Sequence, residues 1–386
     1  MAESADILSA DLLRQKFRLR RMNPARLFLL TALALCAAFV VWSLAAGRRA
    51  NSSLPSAESD AIDQRLQRAA TQALGDRRGT IIVMDPQTGR IRAIVNPEIA
   101  FTENYPLGSA IKPFTTLAAL RSGVIDEDSR TLCHEKYSHH AFQTTCSHPR
   151  DLPPLNPTEA IAYSCNYYFS TVGEHLNEEN FRSTLSEFGF GKQTGVNAAA
   201  EVAGQLQRGD WRPQNAIGEG NYLQATPIQV ANAYAALVNG GRLFTPRLAK
   251  PEAFVAESQA DIVITNRERE VIIKGMRGAV RYGSAEKAGL YSLPLYIFGK
   301  TGTATEIDGF RTHGWFAGLA SQTANQTESN SEAAPGNVNL LVLVFLNRGH
   351  GVDAAEVARP LFAAFASEIA NLKSQIAHLG MQTRHL

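Results

Sequence analysis

The sequence has almost no net charge, few cysteines and no visible internal repeat. Its 38 Lys and Arg residues and 36 Asp and Glu residues give a formal charge of +2, so it lacks the basic excess typical of nucleic-acid-binding proteins. Charged residues make up only 19% of the chain and hydrophobic residues 45%, which excludes the composition of a disordered protein. The 386 residues are compatible with two average domains or with one catalytic domain and a tail.

Charge is missing altogether from one apolar run near the N-terminus. Leu27–Ala46 contains no charged residue and has the length of about 20 residues that a helix needs to cross a bilayer. Six basic residues precede this run and only Arg48 and Arg49 follow it closely, so the positive-inside rule predicts a cytoplasmic N-terminus and an exported remainder. The alternative is a signal peptide cleaved near Ala45, although the apolar core of such a peptide is usually only about 7–15 residues long.

These features predict four segments and a location. We expect a cytoplasmic tail over residues 1–26, a transmembrane helix over 27–46, a linker over 47–60 and an exported domain over 61–386. The protein would be a single-pass protein of the cytoplasmic membrane, with its exported domain on the outer side.

Only four cysteines are present, and Cys36 lies in the predicted span. Outside the cytoplasm, a disulfide between Cys133 and Cys146 would stabilise a short loop by roughly 3 kcal/mol on chain-entropy grounds. Four histidines lie in the same stretch, which raises the alternative of a mixed zinc site: His134, His139, His140 and His148. Because the spacing matches no standard zinc pattern, we predict no metal ion. Two free thiols are the remaining alternative.

Helix and strand patterns follow each other in blocks. Residues 62–74 place apolar groups at helical spacing behind Asp60, a candidate N-cap. Two β-rich runs, Gly79–Asp85 and Arg90–Asn96, flank a turn and predict a hairpin. Further helices are predicted over Phe114–Leu120, Ala160–Leu176, Thr226–Val238 and Asp353–Leu372. Further strands are predicted over Leu293–Gly299, Gly314–Ala320 and Val338–Leu346, with a solvated loop over Ser321–Gly336. This order predicts an α+β fold whose central antiparallel sheet is flanked by helices and shared by the first and last blocks.

Three short motifs carry the chemistry. Ser109-Ala-Ile-Lys112 is an S-x-x-K motif, and on the first turn of a helix this spacing places the hydroxyl and the amine on one face. Ser164-Cys165-Asn166 is an S-x-N motif, and Lys300-Thr301-Gly302-Thr303 ends an apolar run, where a glycine lets a ligand lie close to the strand. Taken singly, the first two are weak signals, because a surface hydrogen bond or a helix cap explains each of them.

In this order, S-x-x-K, S-x-N and K-T-G-T resemble the signature of penicillin-binding proteins and serine β-lactamases. The flanks of the motifs are similar to the transpeptidase domain of class B penicillin-binding proteins. These similar stretches are Gly108–Leu120, Ala160–Phe169, Ile217–Gly220, Ala225–Gln229 and His313–Gly318. The resemblance covers roughly residues 79–372 and implies the fold shared by these serine enzymes.

The resemblance also implies the catalytic roles. Ser109 would form an acyl-enzyme with the D-Ala-D-Ala end of a peptidoglycan stem peptide, and a neutral Lys112 would take its proton. Burial and the charge of Lys300 would both keep Lys112 neutral. Ser164, between the two lysines, would pass a proton to the departing D-alanine.

The remaining site residues would bind the substrate. Asn166 would hydrogen-bond the substrate's side-chain amide, while Lys300, Thr301 and Thr303 would hold its terminal carboxylate, or that of a β-lactam, against the strand at Gly302. Backbone N–H groups of Ser109 and Thr303 would meet the oxyanion, each donor being worth about 10²–10³ in rate. No cofactor is implied. The resemblance favours the Cys133–Cys146 disulfide, because several elongation-type members carry a similar pair.

The sequence departs from class B enzymes in one respect, because they usually carry a large pedestal domain where this chain has only residues 47–78. Nothing upstream resembles a glycosyltransferase, so we do not expect a bifunctional polymerase. The expected partners are stem peptides, β-lactam antibiotics and the cytoplasmic membrane, with a polytopic glycan polymerase as a candidate and no nucleic acid.

Other activities of the same fold stay open. A D,D-carboxypeptidase differs from a transpeptidase only in using water instead of an amine as acceptor. A β-lactamase is less favoured, because class D enzymes carry S-x-V in place of Ser164-Cys165-Asn166 and we identify no class A deacylating glutamate. A membrane-bound β-lactam sensor would need a cytoplasmic effector domain, for which residues 1–26 are too few.

Overall fold

The central element of the fold is a five-stranded sheet. The computed structural model describes residues 63–209, 211–249, 254–305, 312–321 and 334–382. The strands of the described chain are β1 (Gly79–Met84), β2 (Ile91–Val95), β3 (Tyr105–Pro106), β4 (Lys136–His139), β5 (Phe142–Thr145), β6 (Gln205–Leu206), β7 (Leu223–Ala225), β8 (Arg242–Phe244), β9 (Ser258–Asp261), β10 (Tyr296–Thr305), β11 (Thr312–Ser321) and β12 (Val338–Leu346). The central sheet has the order β10–β11–β12–β1–β2, and all its pairings are antiparallel.

The two ends of the domain meet in this sheet. Strand β12 lies between β11 and β1, with Gly79 opposite Leu346. All but one residue of β12 are buried, as expected of an apolar strand covered on both faces. The predicted α+β fold, with a central antiparallel sheet shared by the first and last blocks, is confirmed.

Helices flank the sheet. In the described chain they are α1 (Gln64–Leu74), α2 (Pro97–Thr102), α3 (Lys112–Arg121), α4 (Pro157–Tyr163), α5 (Asn166–His175), α6 (Glu178–Glu187), α7 (Pro227–Val238), α8 (Asn266–Arg281) and α9 (Gly351–Gln382). Helix α9 packs on β11, β12 and α1, and α8 packs on β10 and α4. Capping boxes begin α4, α7 and α8, with Asn156, Thr226 and Thr265 as the N-caps, so local sequence defines where these helices start.

The structure differs from the predicted elements at the S-x-N motif. The single helix predicted over Ala160–Leu176 is divided into α4 and α5, because Ser164 adopts a left-handed conformation with φ of 54°. Cys165 is extended and forms the N-cap of α5. The motif therefore lies in a tight connection between two helices.

The N-terminal predictions fall largely outside the described residues. The predicted tail, span, linker and Asp60 cap are among them. Helix α1 has Asp63 as its N-cap, whose carboxylate accepts hydrogen bonds from the backbone N–H groups of Arg65 and Leu66. Within the described ranges, we find no helix with the length and apolar character required to cross a membrane.

Candidate active site

Ser109 lies on a short 3₁₀ turn, Gly108–Ile111, that leads directly into α3. Gly108 has φ of +51°, and a Cβ at this position would lie 2.1 Å from the carbonyl oxygen of Thr303. A Cβ on Gly302 would lie 2.7 Å from the carbonyl oxygen of Leu107. Only glycine at both positions lets the serine turn and strand β10 approach this closely. The S-x-x-K and K-T-G-T motifs therefore form one site.

Lys112 is fully buried at the start of α3. Its Nζ donates to the carbonyl oxygen of Ser164 at 2.7 Å and to Oδ1 of Asn166 at 2.7 Å, and it lies 3.3 Å from Oγ of Ser164. Burial lowers the pKa of Lys112 to about 8, because the charged form loses its hydration. A neutral amine is therefore within reach at ordinary pH.

Lys300 approaches the same serine from strand β10. It is also fully buried, and its Nζ donates to Oγ of Ser164 at 2.8 Å and to the carbonyl oxygen of Thr301 at 2.9 Å. Burial, and then the nearby charge of Lys112, hold the pKa of Lys300 well below its usual value. The hydroxyl of Ser164 thus lies between the two lysine amines, as the sequence interpretation expected.

Asn166 joins the site to the β4–β5 hairpin. Its Oδ1 accepts from Lys112, and its Nδ2 donates to Oγ1 of Thr144 at 2.9 Å and to the carbonyl oxygen of Thr145 at 3.1 Å. Both amide protons are used, so a substrate group could reach only the second lone pair of Oδ1. The structure therefore shows a linking role for this residue, and its predicted contact with substrate stays a prediction.

The two threonines of the K-T-G-T motif differ in their surroundings. Thr301 is buried and its hydroxyl donates to Oγ of Ser284 at 2.7 Å. Thr303 is half-buried, and its Oγ1 accepts from the backbone N–H of Gly351 at 3.0 Å. Within the described sheet β10 is an edge strand, which suits the addition of an extended peptide. Of the two residues, Thr303 is the more exposed.

Glu219 was not predicted as a site residue. The backbone N–H of Gly108 donates to the carbonyl oxygen of Gly218 at 3.1 Å, which places Glu219 beside the serine turn. Its carboxyl is half-buried; burial raises its pKa, and the charge of Lys112 opposes that rise. The stretch Ile217-Gly-Glu-Gly220, with two positive-φ glycines, was the available signal.

The predicted disulfide is not formed in the structure. Cys133 and Cys146 are free, and their Sγ atoms lie 3.6 Å apart, whereas a disulfide bond is about 2.05 Å long. The Sγ of Cys146 lies just as close to Cys165, at 3.7 Å. Cys146 therefore has two thiols within the same distance, whereas the sequence led us to expect only Cys133 beside it.

The site combines a serine on a helix turn, a buried lysine amine of lowered pKa, and a second lysine that contacts the same hydroxyl as the first, that of Ser164. This combination defines the class of serine acyl-transferases that use lysine as the base. Comparison with known proteins identifies the family within this class. Residues 79–328 match the model of the penicillin binding protein transpeptidase domain. The chain belongs to this family, as the three motifs predicted.

Two curated relatives carry the name peptidoglycan D,D-transpeptidase MrdA. The protein from Acinetobacter baumannii is 27% identical over 78% of this chain and 52% of its own length. The protein from Haemophilus influenzae is 26% identical over 80% of this chain and 56% of its own length. The chain thus spans about half the length of these relatives.

A solved structure supports the same fold. Pseudomonas aeruginosa PBP2, crystallised in complex with WCK 5153, superposes with a TM-score of 0.66 at 26% sequence identity. The match covers 79% of this chain and 77% of that chain. The transpeptidase fold predicted from sequence is confirmed for the described domain.

Proposed function

We propose that this protein is a serine D,D-transpeptidase of peptidoglycan, which forms an acyl-enzyme on Ser109 from the D-Ala-D-Ala end of a stem peptide. The proposal rests on the family and on the names of the two curated relatives. The observation that carries it is the hydroxyl of Ser164, held between the buried amines of Lys112 and Lys300 next to the serine turn. β-Lactam antibiotics would acylate the same serine.

The hydrogen bonds of Lys112 suit a general base. A neutral amine has two protons and one lone pair. The carbonyl oxygen of Ser164 and Oδ1 of Asn166 can only accept hydrogen bonds, so they take the two protons. The lone pair is then left to accept a proton. Oγ of Ser164 lies 3.3 Å from this amine, and in the proposed reaction the amine takes the proton of Ser109.

Acyl transfer would then proceed in two steps. As Oγ of Ser109 gives its proton to Lys112, it bonds to the carbonyl carbon between the two D-alanines, and the oxyanion is met by the N–H groups of Ser109 and Thr303. The C–N bond breaks, and the leaving amine takes the proton held by Lys112, passed on through Ser164. In the second step an acceptor amine attacks the acyl ester and loses its proton to Lys112; the ester C–O bond breaks, and Lys112 returns that proton to Oγ of Ser109.

We also propose that the chain is anchored in a membrane and that it acts with the partners expected from the sequence. The apolar run over residues 27–46 and the basic residues before it support a membrane anchor with the domain of residues 61–386 on its outer side. In this location the active site at Ser109 would lie on the same side of the membrane as the peptidoglycan stem peptides. Stem peptides are the proposed substrate, and a polytopic glycan polymerase remains a predicted partner.

Labelling of the full chain with a fluorescent penicillin tests the proposal. We expect stable labelling that is lost in Ser109→Ala. Rapid release with turnover of the drug would identify a β-lactamase, and absence of labelling would contradict the proposed chemistry. Incubation with a stem pentapeptide and an acceptor amine then separates cross-linked product from simple loss of D-alanine, which would identify a carboxypeptidase.

A further inference from the structure

The β4–β5 hairpin holds the side-chain amide of Asn166 at the end that faces away from Lys112. Oδ1 of Asn166 lies 2.7 Å from Nζ of Lys112. Its Nδ2 donates to Oγ1 of Thr144 at 2.9 Å and to the carbonyl oxygen of Thr145 at 3.1 Å. A carbonyl oxygen can only accept, so the nitrogen of the amide must face the hairpin. The hydroxyl of Thr144 takes the second proton and thereby fixes the plane of the amide, because the last torsion of an asparagine side chain is broad when nothing restrains it.

The hairpin is attached to helix α5 at another point as well. Thr144 is half-buried between two exposed neighbours, so its side chain lies on the face of β5 that is turned to the domain. Its partner across the hairpin is Tyr137, which is buried and donates from its hydroxyl to Glu174 of α5 at 2.7 Å. The hairpin therefore has a contact with α5 that does not involve Asn166, and a change at Thr144 leaves that contact in place.

The position of Oδ1 matters for both protonation states of Lys112. In the neutral amine, the carbonyl oxygen of Ser164 and Oδ1 of Asn166 take the two protons, which leaves the lone pair for the proton of Ser109. In the protonated amine that follows, the same two oxygens stabilise the positive charge. If Oδ1 were displaced, one amine proton would be free to turn, so the lone pair would lose its direction, and the charged amine would lose an acceptor.

We propose that Thr144 is a positioning residue of the acylation site: its hydroxyl holds the amide of Asn166 so that Oδ1 faces Lys112. The inference rests on the proposed function, because it assigns a residue outside the three motifs to the same reaction. The β4–β5 hairpin thus supplies a fourth component of the site, which acts through Asn166 and not on the substrate.

Thr144→Val tests the proposal in the full chain. Valine has nearly the shape of threonine and suits a strand, so the main change is the loss of the hydroxyl. We expect the second-order rate of acylation of Ser109 by a fluorescent penicillin to fall by about 3–10-fold, the effect of one lost hydrogen bond. Thr144→Ser keeps the hydroxyl and should retain most of the wild-type rate.

Thr171→Val is the matched control. Thr171 is also half-buried, and its hydroxyl donates to the carbonyl oxygen of Tyr167 within α5 at 3.0 Å. This variant loses a hydroxyl of the same kind without touching Asn166, and its acylation rate should equal that of the wild type. If Thr144→Val does not fold, Thr144→Ala removes the same hydroxyl with a smaller side chain and is measured in its place.

The pH profile of acylation separates positioning from a general structural effect. When the charged amine of Lys112 loses an acceptor, its pKa falls, so the rising limb of the profile should move to lower pH. The rate reached at high pH should fall at the same time, because the lone pair is less well directed. The other titratable groups of the described chain that interact with Lys112 are unchanged in the variant, namely Lys300, Glu219, Cys146 and Cys165. A loss of folded protein would lower the whole profile without moving its limb.

A double substitution tests whether Thr144 acts through Asn166. Asn166→Ala removes the amide, so Thr144→Val should have no further effect on the acylation rate in that background. The slower labelling of the doubly substituted chain is followed over a longer incubation, beside Asn166→Ala alone.

Three results would overturn the proposal. The first is a Thr144→Val chain whose rate and pH profile equal those of Thr171→Val, and the second is a profile that is lowered without a shift of its limb. The third is an effect of Thr144→Val that persists in full after Asn166→Ala. Failure of the proposed function has a different signature, because Ser109 of the wild-type chain would then not be labelled at all.

Discussion

Two fully buried lysines lie next to one hydroxyl group in the site, that of Ser164. Within the described chain neither Lys112 nor Lys300 forms an ion pair, and their amines bind only neutral oxygen atoms. An unpaired buried charge is costly, so the fold lowers the pKa of both amines. The site thus gives up stability to obtain a reactive base, as functional sites often do.

Lys112→Arg tests the assignment of the base. Arginine keeps a positive charge at any ordinary pH and cannot accept the proton of Ser109. We expect the second-order rate of acylation by penicillin to fall by about 10²–10⁴-fold, the usual contribution of general base catalysis. The rate is followed by fluorescence of the labelled chain. Lys192→Arg, at an exposed lysine, is the matched control, and an unchanged rate in Lys112→Arg would refute the assignment.

The pH dependence of acylation follows from the same amine. Burial lowers the pKa of Lys112 to about 8, and the reactive form is the deprotonated one. The acylation rate should therefore rise about tenfold per pH unit well below that value and level off above it. A pH profile of labelling that is flat, or that falls as pH rises through neutrality, would be incompatible with a lysine base.

The residues of the active site could be predicted where those that are close in the sequence are also close in space. Ser109 and Lys112 lie one turn apart, and the S-x-N and K-T-G-T motifs are short, so each was found by its local pattern. The contact between Cys146 and Cys165 was missed because Cys165 belongs to a motif that already had an interpretation. Glu219 reaches the site through the pairing of Gly218 with Gly108; the stretch Ile217–Gly220 marked the segment in the sequence, but its pattern does not say that it lies beside Ser109.

At the scale of elements, the closest approach in the site is the packing of the Gly108–Ile111 turn on strand β10. Both contacting positions are glycines, and any side chain there would meet backbone atoms that cannot move aside. The position of the nucleophile relative to the strand therefore depends on the absence of two Cβ atoms.

Gly108→Ala and Gly123→Ala separate this contact from backbone strain. Both glycines have positive φ, but a Cβ at Gly123 meets nothing within 4 Å. Each substitution should cost about 1–2 kcal/mol for the left-handed conformation. Only Gly108→Ala should add a clash and abolish acylation. Urea unfolding and penicillin labelling measure the two effects, and equal behaviour of the two variants would show that the close approach is unimportant.

Some elements could be predicted and others could not. Helices α3 and α7 and strand β12 follow their apolar patterns closely. The β4–β5 hairpin was not predicted, because most of its side chains are exposed or half-buried and its strands lack a sustained apolar face. Helix α8 was missed although Thr265 and Glu268 form a capping box at its start.

At the scale of the whole molecule, the sheet joins residues that are far apart in sequence. Strand β1 pairs with β12, and helix α9 packs on α1. The side chain of Arg92 in β2 donates to Asp63 at 2.8 Å and to Glu368 at 3.1 Å, which links both ends of the domain once more. Folding therefore requires the last strand and helix.

Truncation should reveal this dependence. A chain that ends after residue 321 lacks β12 and α9, and β11 and β1 then have no strand between them. We expect no cooperative unfolding transition and no penicillin labelling. A chain that ends after residue 371 keeps β12 and the residues of α9 that are described as buried, the last of which is Ile369, and it should retain both. Cooperative unfolding of the shorter chain, followed by circular dichroism, would contradict a shared sheet.

The position of the acyl group tests directly whether Ser109 is the nucleophile. The full chain is treated with benzylpenicillin, digested and analysed by mass spectrometry. We expect one penicilloyl group per chain, on the Oγ of Ser109, and none on Ser164. An adduct on another residue, or an unmodified Ser109 in a folded chain, would show that Ser109 is not the nucleophile.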